Sequence, residues 1–230
     1  MRFSGEELSK AGFIGAPDYY VRNNNKIFVF ESKDSLLNAA LKESGDYASI
    51  EIELIKKFYQ DGKDAKAINQ LLAFIKSLLT KTFLKWDNTY KLDTARIYPI
   101  IIIHDRQLDV PGLNKIINFW YFNELEKLKK EVEIKSKIYP ITIITASTLI
   151  LAHELFLDRR LLFEEMIEWY HEFTKVKEPR HFGSQQQFEK HIMETGLPFS
   201  HFLTEQVKKK NLPRIPVKMI KEKAIIALDS

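Results

Sequence analysis

The sequence predicts an α/β fold built on a mixed β-sheet, and three observations predict it. Short β-branched or aromatic runs, Ile27–Phe30, Ile97–Ile103 and Ile138–Ile144, have the length of buried strands. Longer stretches with apolar residues at i, i+3, i+4 and i+7 lie between and after them, which is helical spacing. Only 8 Gly and 8 Pro occur in 230 residues, too few for a turn-dense all-β chain.

The elements follow in order. Ser4-Gly5-Glu6-Glu7 has the Ser-x-x-Glu form of a capping box and starts a short helix that ends at Gly12. Two extended runs come next, Tyr19–Arg22 and Lys26–Lys33, separated by Asn23-Asn24-Asn25. Asn tolerates positive φ, so the pair reads as a β-hairpin. The second run begins apolar on both faces, as a strand covered on both sides requires, and turns abruptly polar at Glu31-Ser32-Lys33-Asp34. From Ser35 to Phe83 the pattern is helical in at least two pieces, broken near Ser44-Gly45 and Asp61-Gly62. The last piece carries the stripe Ile68, Leu71, Leu72, Ile75, Leu78 and Leu79.

The strand Ile97–Ile103, the helical run Pro111–Val132 and the strand Ile138–Ile144 form a crossover unit. Two buried strands joined by a long helix lie parallel, with a right-handed connection. Ile-Tyr-Pro-Ile recurs at 97 and 138, but one four-residue match falls short of a repeat. From Glu154 onward the chain is helical and polar, with breaks at Pro179–Gly183, Gly196–Pro198 and Leu212–Pro216. The expected division is a core over residues 1–155 and a helical C-terminal extension over residues 156–230.

Composition narrows the function classes. Cysteine is absent, which excludes a disulfide framework, a zinc ribbon, a thiolate nucleophile and an iron–sulfur cluster. No apolar run follows the charged first residues, so no secretory signal is expected, and a cytoplasmic location fits. The apolar stretches fall short of the roughly 20 residues that cross a bilayer. A net charge of +4 suits a polyanionic partner without demanding one. The basic residues concentrate in Val207–Lys223, where Lys208, Lys209, Lys210, Arg214, Lys218, Lys221 and Lys223 face only Glu222. Lys208, Lys209 and Lys210 are candidate nucleic-acid contacts; the competing reading is a solvated helix end.

The chemistry concentrates in Pro17-Asp18, twelve residues, then Glu31-Ser32-Lys33. On a strand Glu31 and Lys33 point to the same side. Antiparallel pairing brings Asp18, before the start of the first strand, towards the end of the second. Two adjacent carboxylates repel unless a cation sits between them, and Mg²⁺ suits such a site because it takes hard oxygen ligands and leaves positions for water and phosphate oxygens. Asp18, Glu31 and the Ser32 main-chain carbonyl are the candidate metal ligands. Lys33 is the candidate that orients a water or neutralises charge developing on a phosphate.

These residues resemble the signature of the PD-(D/E)xK nuclease superfamily, which has the restriction-endonuclease-like fold. The family pattern is a hairpin carrying Asp and then (Asp/Glu)-x-Lys, a helix, and a strand–helix–strand crossover; the order from Asp18 to about Leu151 is similar. The resemblance implies a metal-dependent nuclease using Mg²⁺, with Mn²⁺ as a substitute, acting on nucleic acid with DNA ahead of RNA. Many such proteins act as dimers or larger assemblies. The alternative is a nuclease-fold module that binds nucleic acid or a protein without cutting. The RecB-like branch adds a Gln-x-x-x-Tyr element on the following helix. Here Gln70-Leu71-Leu72-Ala73-Phe74 keeps the Gln and ends in Phe. The helical wheel sets Gln70 away from the apolar stripe, leaving it either at the edge of the site or in water. Family members usually carry a helix and a strand before the hairpin, and 17 residues precede Asp18. Glu7 is a candidate accessory acid of that first helix, although the capping box already accounts for it.

The remaining candidates are weaker. His104-Asp105 follows the Ile97–Ile103 strand, where sites in α/β units often lie, and turn chemistry explains Asp105 equally well. No other histidines are spaced i, i+4, and neither HExxH, G-x-S-x-G nor a glycine-rich phosphate loop occurs. Trp86, Trp120 and Trp169 stand in periodic helices and read as core.

Overall fold

A computed structural model of the chain describes residues 1–34 and 45–212. The first helical piece expected after Ser35, and Arg214, Lys218, Lys221 and Lys223 of the basic tail, lie outside the described residues. The fold is mixed α/β with a mixed sheet, and eight α-helices are present among the described residues.

In chain order, β1 (Arg2–Ser4) runs into α1 (Gly5–Lys10), followed by β2 (Tyr19–Asn23) and β3 (Lys26–Lys33). Strand and helix thus both fit ahead of Asp18; β1 has no counterpart in the sequence reading. Asn23 pairs with Lys26, and Asn24 takes a left-handed φ of 54° in the turn between them. The next helix, α2 (Tyr47–Leu54), passes into a π-helical turn over Ile55–Tyr59. The break expected at Asp61-Gly62 is a small hairpin of β4 (Gln60–Asp61) and β5 (Asp64–Ala65), after which α3 (Ala67–Leu79) carries the predicted stripe.

The crossover is β6 (Arg96–Ile103), α4 (Leu113–Glu131), β7 (Lys137–Ile138) and β8 (Thr142–Thr145). The single strand expected over Ile138–Ile144 is therefore split, because Pro140 has no N–H to give a ladder. Strand order is β1-β2-β3-β6-β7, with β8 also on β6. The β1, β2 and β3 strands are antiparallel neighbours, whereas β6 is parallel to β3, β7 and β8. Pro99 sits inside this central strand without breaking it. Even-numbered amides of β6 point to β3, as Arg96 N–H to Asn25 does, while Ile97 offers its carbonyl to Tyr139 across the other side. The donor that Pro99 lacks thus faces the interruption around Pro140.

Four helices complete the described chain: α5 (Ala146–Leu157), α6 (Phe163–Phe173), α7 (Gln185–Thr195) and α8 (Phe199–Lys209). Helix begins at Ala146 rather than Glu154, so the boundary expected at 155 falls inside α5. Alternation along β3 and β6 makes two cores. Ile27, Val29, Ile97 and Ile101 face α3 and α4 through Leu71, Ile75 and Ile117. Phe28, Tyr98 and Ile100 face α5, α6 and α8 through Leu155, Met166 and Phe202. The expected Trp core holds for Trp120, 8% exposed, and fails for Trp169, which is 43% exposed because Met166, Ile167 and Tyr170 take the inner face of α6. Among the described residues no helix is long and apolar enough to cross a membrane.

Candidate active site

The site starts from a close approach of backbones. Gly5 donates its N–H to the Asp18 carbonyl at 2.8 Å, and a Cβ on Gly5 would meet the Pro17 oxygen at 2.5 Å. Only glycine therefore lets α1 lie against Pro17-Asp18. Ser4 caps that helix, and Glu7 closes the capping box, its Oε2 accepting from Ser4 N at 2.7 Å and Ser4 Oγ at 3.0 Å. These bonds hold the Glu7 carboxyl below its usual range. Among the described residues the Glu7 carboxylate accepts hydrogen bonds from Ser4 alone, which is its capping role.

The first pair of β2 and β3 joins Tyr19 to Phe30, so beyond Phe30 no main chain of β2 faces β3. The Asp18 side chain fills in: its Oδ2 accepts the Ser32 N–H at 2.6 Å. A strand residue presents N–H and C=O to the same side. The Ser32 carbonyl is thereby directed to the Asp18 side as well, as a ligand role requires.

Glu31 is 4% exposed at the end of the same strand. Lys33 Nζ donates to Glu31 Oε1 at 2.8 Å and to Gln70 Oε1 at 2.9 Å. Gln70 thus stands against Lys33 rather than pointing only into water. Burial pushes the Glu31 carboxyl above its usual range, the Lys33 ammonium opposes the shift, and the nearby Asp18 charge adds to it. Phe74, one turn on from Gln70, is 1% exposed and packs with Phe13, Tyr20 and Phe83 at centroid distances of 5.6, 5.9 and 4.9 Å. It belongs to the core.

On the opposite face of the sheet, Ser32 Oγ and His104 Nε2 are 2.9 Å apart. His104 thus reaches the Glu-Ser-Lys strand from the end of β6, though not its Glu31 and Lys33 side. Asp105 accepts from the Gln107 N–H at 2.9 Å at the start of a turn. Lys208 pairs with Glu205, and Lys210 Nζ stands 4.9 Å over the Trp169 ring; both lie on the α8 side of the sheet. Neither contact involves Asp18, Glu31 or Lys33.

Sequence reasoning missed Gly5, whose requirement is set by a contact with residues 17 and 18 that no local pattern reveals. It flagged His104 without its Ser32 partner, which only the β3–β6 register supplies. Among the described residues no group of three or more His, Asp or Glu side chains is placed to hold a metal; the donor set here is two carboxylates and a main-chain carbonyl. Comparison with protein-family models, curated proteins and solved structures finds no match to this chain.

Proposed function

We propose that the chain is a metal-dependent nuclease of the PD-(D/E)xK type, hydrolysing phosphodiester bonds of nucleic acid, DNA ahead of RNA. The observation that carries the reading is the Lys33 ammonium, shared between Glu31 and Gln70 beside Asp18 on the Ser32 amide. The hairpin, the following helix and the parallel crossover come in the order of the restriction-endonuclease-like fold, which supports the same reading.

The donor set suits a hard cation. Asp18, Glu31 and the Ser32 carbonyl offer three oxygens, and Mg²⁺ commonly takes one or two carboxylates while keeping waters. When bound, such an ion supplies Lewis-acid polarisation of a phosphate oxygen and lowers the pKa of water. The chain's own residues do the rest. Glu31, buried and unfavourable as an anion, gains from a neighbouring cation. Lys33, released by Glu31, remains aimed by Gln70, whose neutral carbonyl leaves the ammonium charge available to the phosphate.

One observation favours the second reading, a module that binds without cutting: the Lys33–Glu31 pair is already closed at 2.8 Å and satisfies both charges without a cation. Incubation of plasmid and single-stranded DNA with Mg²⁺ or Mn²⁺ separates the two. Cleavage is expected, with Lys33→Ala abolishing it while sparing metal binding and Glu31→Ala weakening both. Substrates left whole under every condition would overturn the catalytic reading in favour of the binding module.

A further inference from the structure

A groove of about 680 Å³ runs along the outer edge of β7 and the Tyr139-Pro140 segment after it, between α4 and α6 and across β6 from the Asp18 cluster. Its walls leave aromatic rings in solvent: Phe119 is 64% exposed, Phe122 44% and Trp169 43%. Phe119 and Phe122, three residues apart, share one face of α4, and Lys115 lies four residues before Phe119 on that face.

Lys137 and Lys175 also line the groove, as does Lys115, whose ammonium is bonded to the Thr174 carbonyl, and Lys210 stands over Trp169. The opposing acids are Glu168 and Glu172; Glu168 is held by Arg96 at 2.5 Å, and Glu172 has Lys175 at 4.0 Å. The balance of charge is positive. A peptide strand is a poor occupant, because Asn118 already takes both the N–H and the C=O of Ile141 on this edge, and His171 takes the Thr142 hydroxyl.

Flat rings between ammonium groups match a chain that alternates flat bases with phosphates. We propose that this groove binds single-stranded nucleic acid, with bases stacked on Trp169 and Phe119 and phosphates paired with Lys137, Lys175 and Lys210. The proposal rests on the nuclease reading insofar as the bound strand belongs to the substrate. It assigns a second contact region, away from the acidic cluster, and gives Lys210 a partner surface. Stacking on aromatic platforms tolerates any base sequence, and phosphate pairing makes binding fall with salt.

The test uses the full chain in metal-free buffer with an oligo-dT probe. Trp169 is the most exposed of the three tryptophans, so bound bases should quench intrinsic fluorescence, less at high salt, and a blunt duplex should quench less. By anisotropy of a labelled probe, Phe119→Ala with Trp169→Ala should weaken binding at least about tenfold. Lys175→Glu, at an exposed position, should weaken it and flatten the salt dependence. Absent quenching, equal quenching by duplex, or unchanged affinity in these variants would overturn the proposal. So would light scattering that finds a dimer in the parent chain and a monomer in the aromatic variant, since the groove would then serve a second copy. Oligo-dT bound through the groove by a chain that cuts nothing with Mg²⁺ would remove the nuclease reading and leave the groove standing.

Discussion

Asp18 Oδ2 accepts the main-chain N–H of Ser32 at 2.6 Å, two residues beyond Phe30, where the β2–β3 ladder ends. One carboxylate oxygen therefore holds the Ser32 amide, and the other is the one available to the proposed metal ligation. Asp18→Asn keeps a carbonyl oxygen for Ser32, so its melting transition should stay close to that of the parent chain. Cleavage should fall at least about a hundredfold, because an amide cannot stabilise a cation as a carboxylate does. Initial rates alongside thermal melts followed by circular dichroism check both halves; an undiminished rate would remove Asp18 from the mechanism.

Gly5→Ala tests the same position from the outside. The added methyl meets backbone, the Pro17 oxygen at 2.5 Å, so the Pro17-Asp18 segment must move. A loss of roughly 1–3 kcal/mol in urea unfolding is expected for such overpacking, with a drop in cleavage as Asp18 shifts from Ser32. If stability and rate both match the parent chain, the close approach does not fix Asp18.

Gln70 and Phe74 separate by role although they are one helical turn apart. Gln70→Met removes the acceptor that aims Lys33 and should lower kcat about tenfold with KM and fold retained, while Gln70→Glu, which keeps an oxygen, should recover more of the rate. Phe74→Tyr would place a hydroxyl among Phe13, Tyr20 and Phe83 without a partner, destabilising the chain by roughly 1–3 kcal/mol without raising the rate. Faster cleavage by the Phe74→Tyr variant would mean that the ring reaches the site.

His171 sets a pH dependence of stability. Burial pushes its imidazole down to about 3, with Thr142 Oγ1 at 2.8 Å from Nε2. An unfolded chain protonates histidine near 6.5. Between these values the unfolded state holds the extra proton, so stability falls as pH is lowered through that window. Urea midpoints measured from pH 7.5 to 4.5 should drop more steeply for the parent chain than for His171→Gln. Parallel curves would mean that the folded chain protonates His171 as readily as the unfolded one.

The hairpin was legible because strand lengths, the Asn turn and the polar end of β3 are all local features. The Glu31 and Lys33 pairing followed from alternation alone. Gln70 was legible only as two alternatives, since a helical wheel fixes a face and leaves its neighbour open. β1 escaped notice because three residues carry no periodicity; its strand character comes from pairing with β2. The Pro140 interruption could have been read from the missing donor, but the β-branched residues around it dominated the pattern. Trp169 was misplaced because α6 has apolar residues on more than one face, and only the packed molecule reveals that Met166, Ile167 and Tyr170 point inward.

Asn118 offers its amide to both polar groups of Ile141, at 2.9 and 2.8 Å, and so mimics one residue of a neighbouring strand. Lateral growth of the sheet, whether by fibril formation or by exchange of strands between molecules, would first have to evict that side chain. The residue thus acts as a stopper on aggregation, at a place where an uncapped border would invite it.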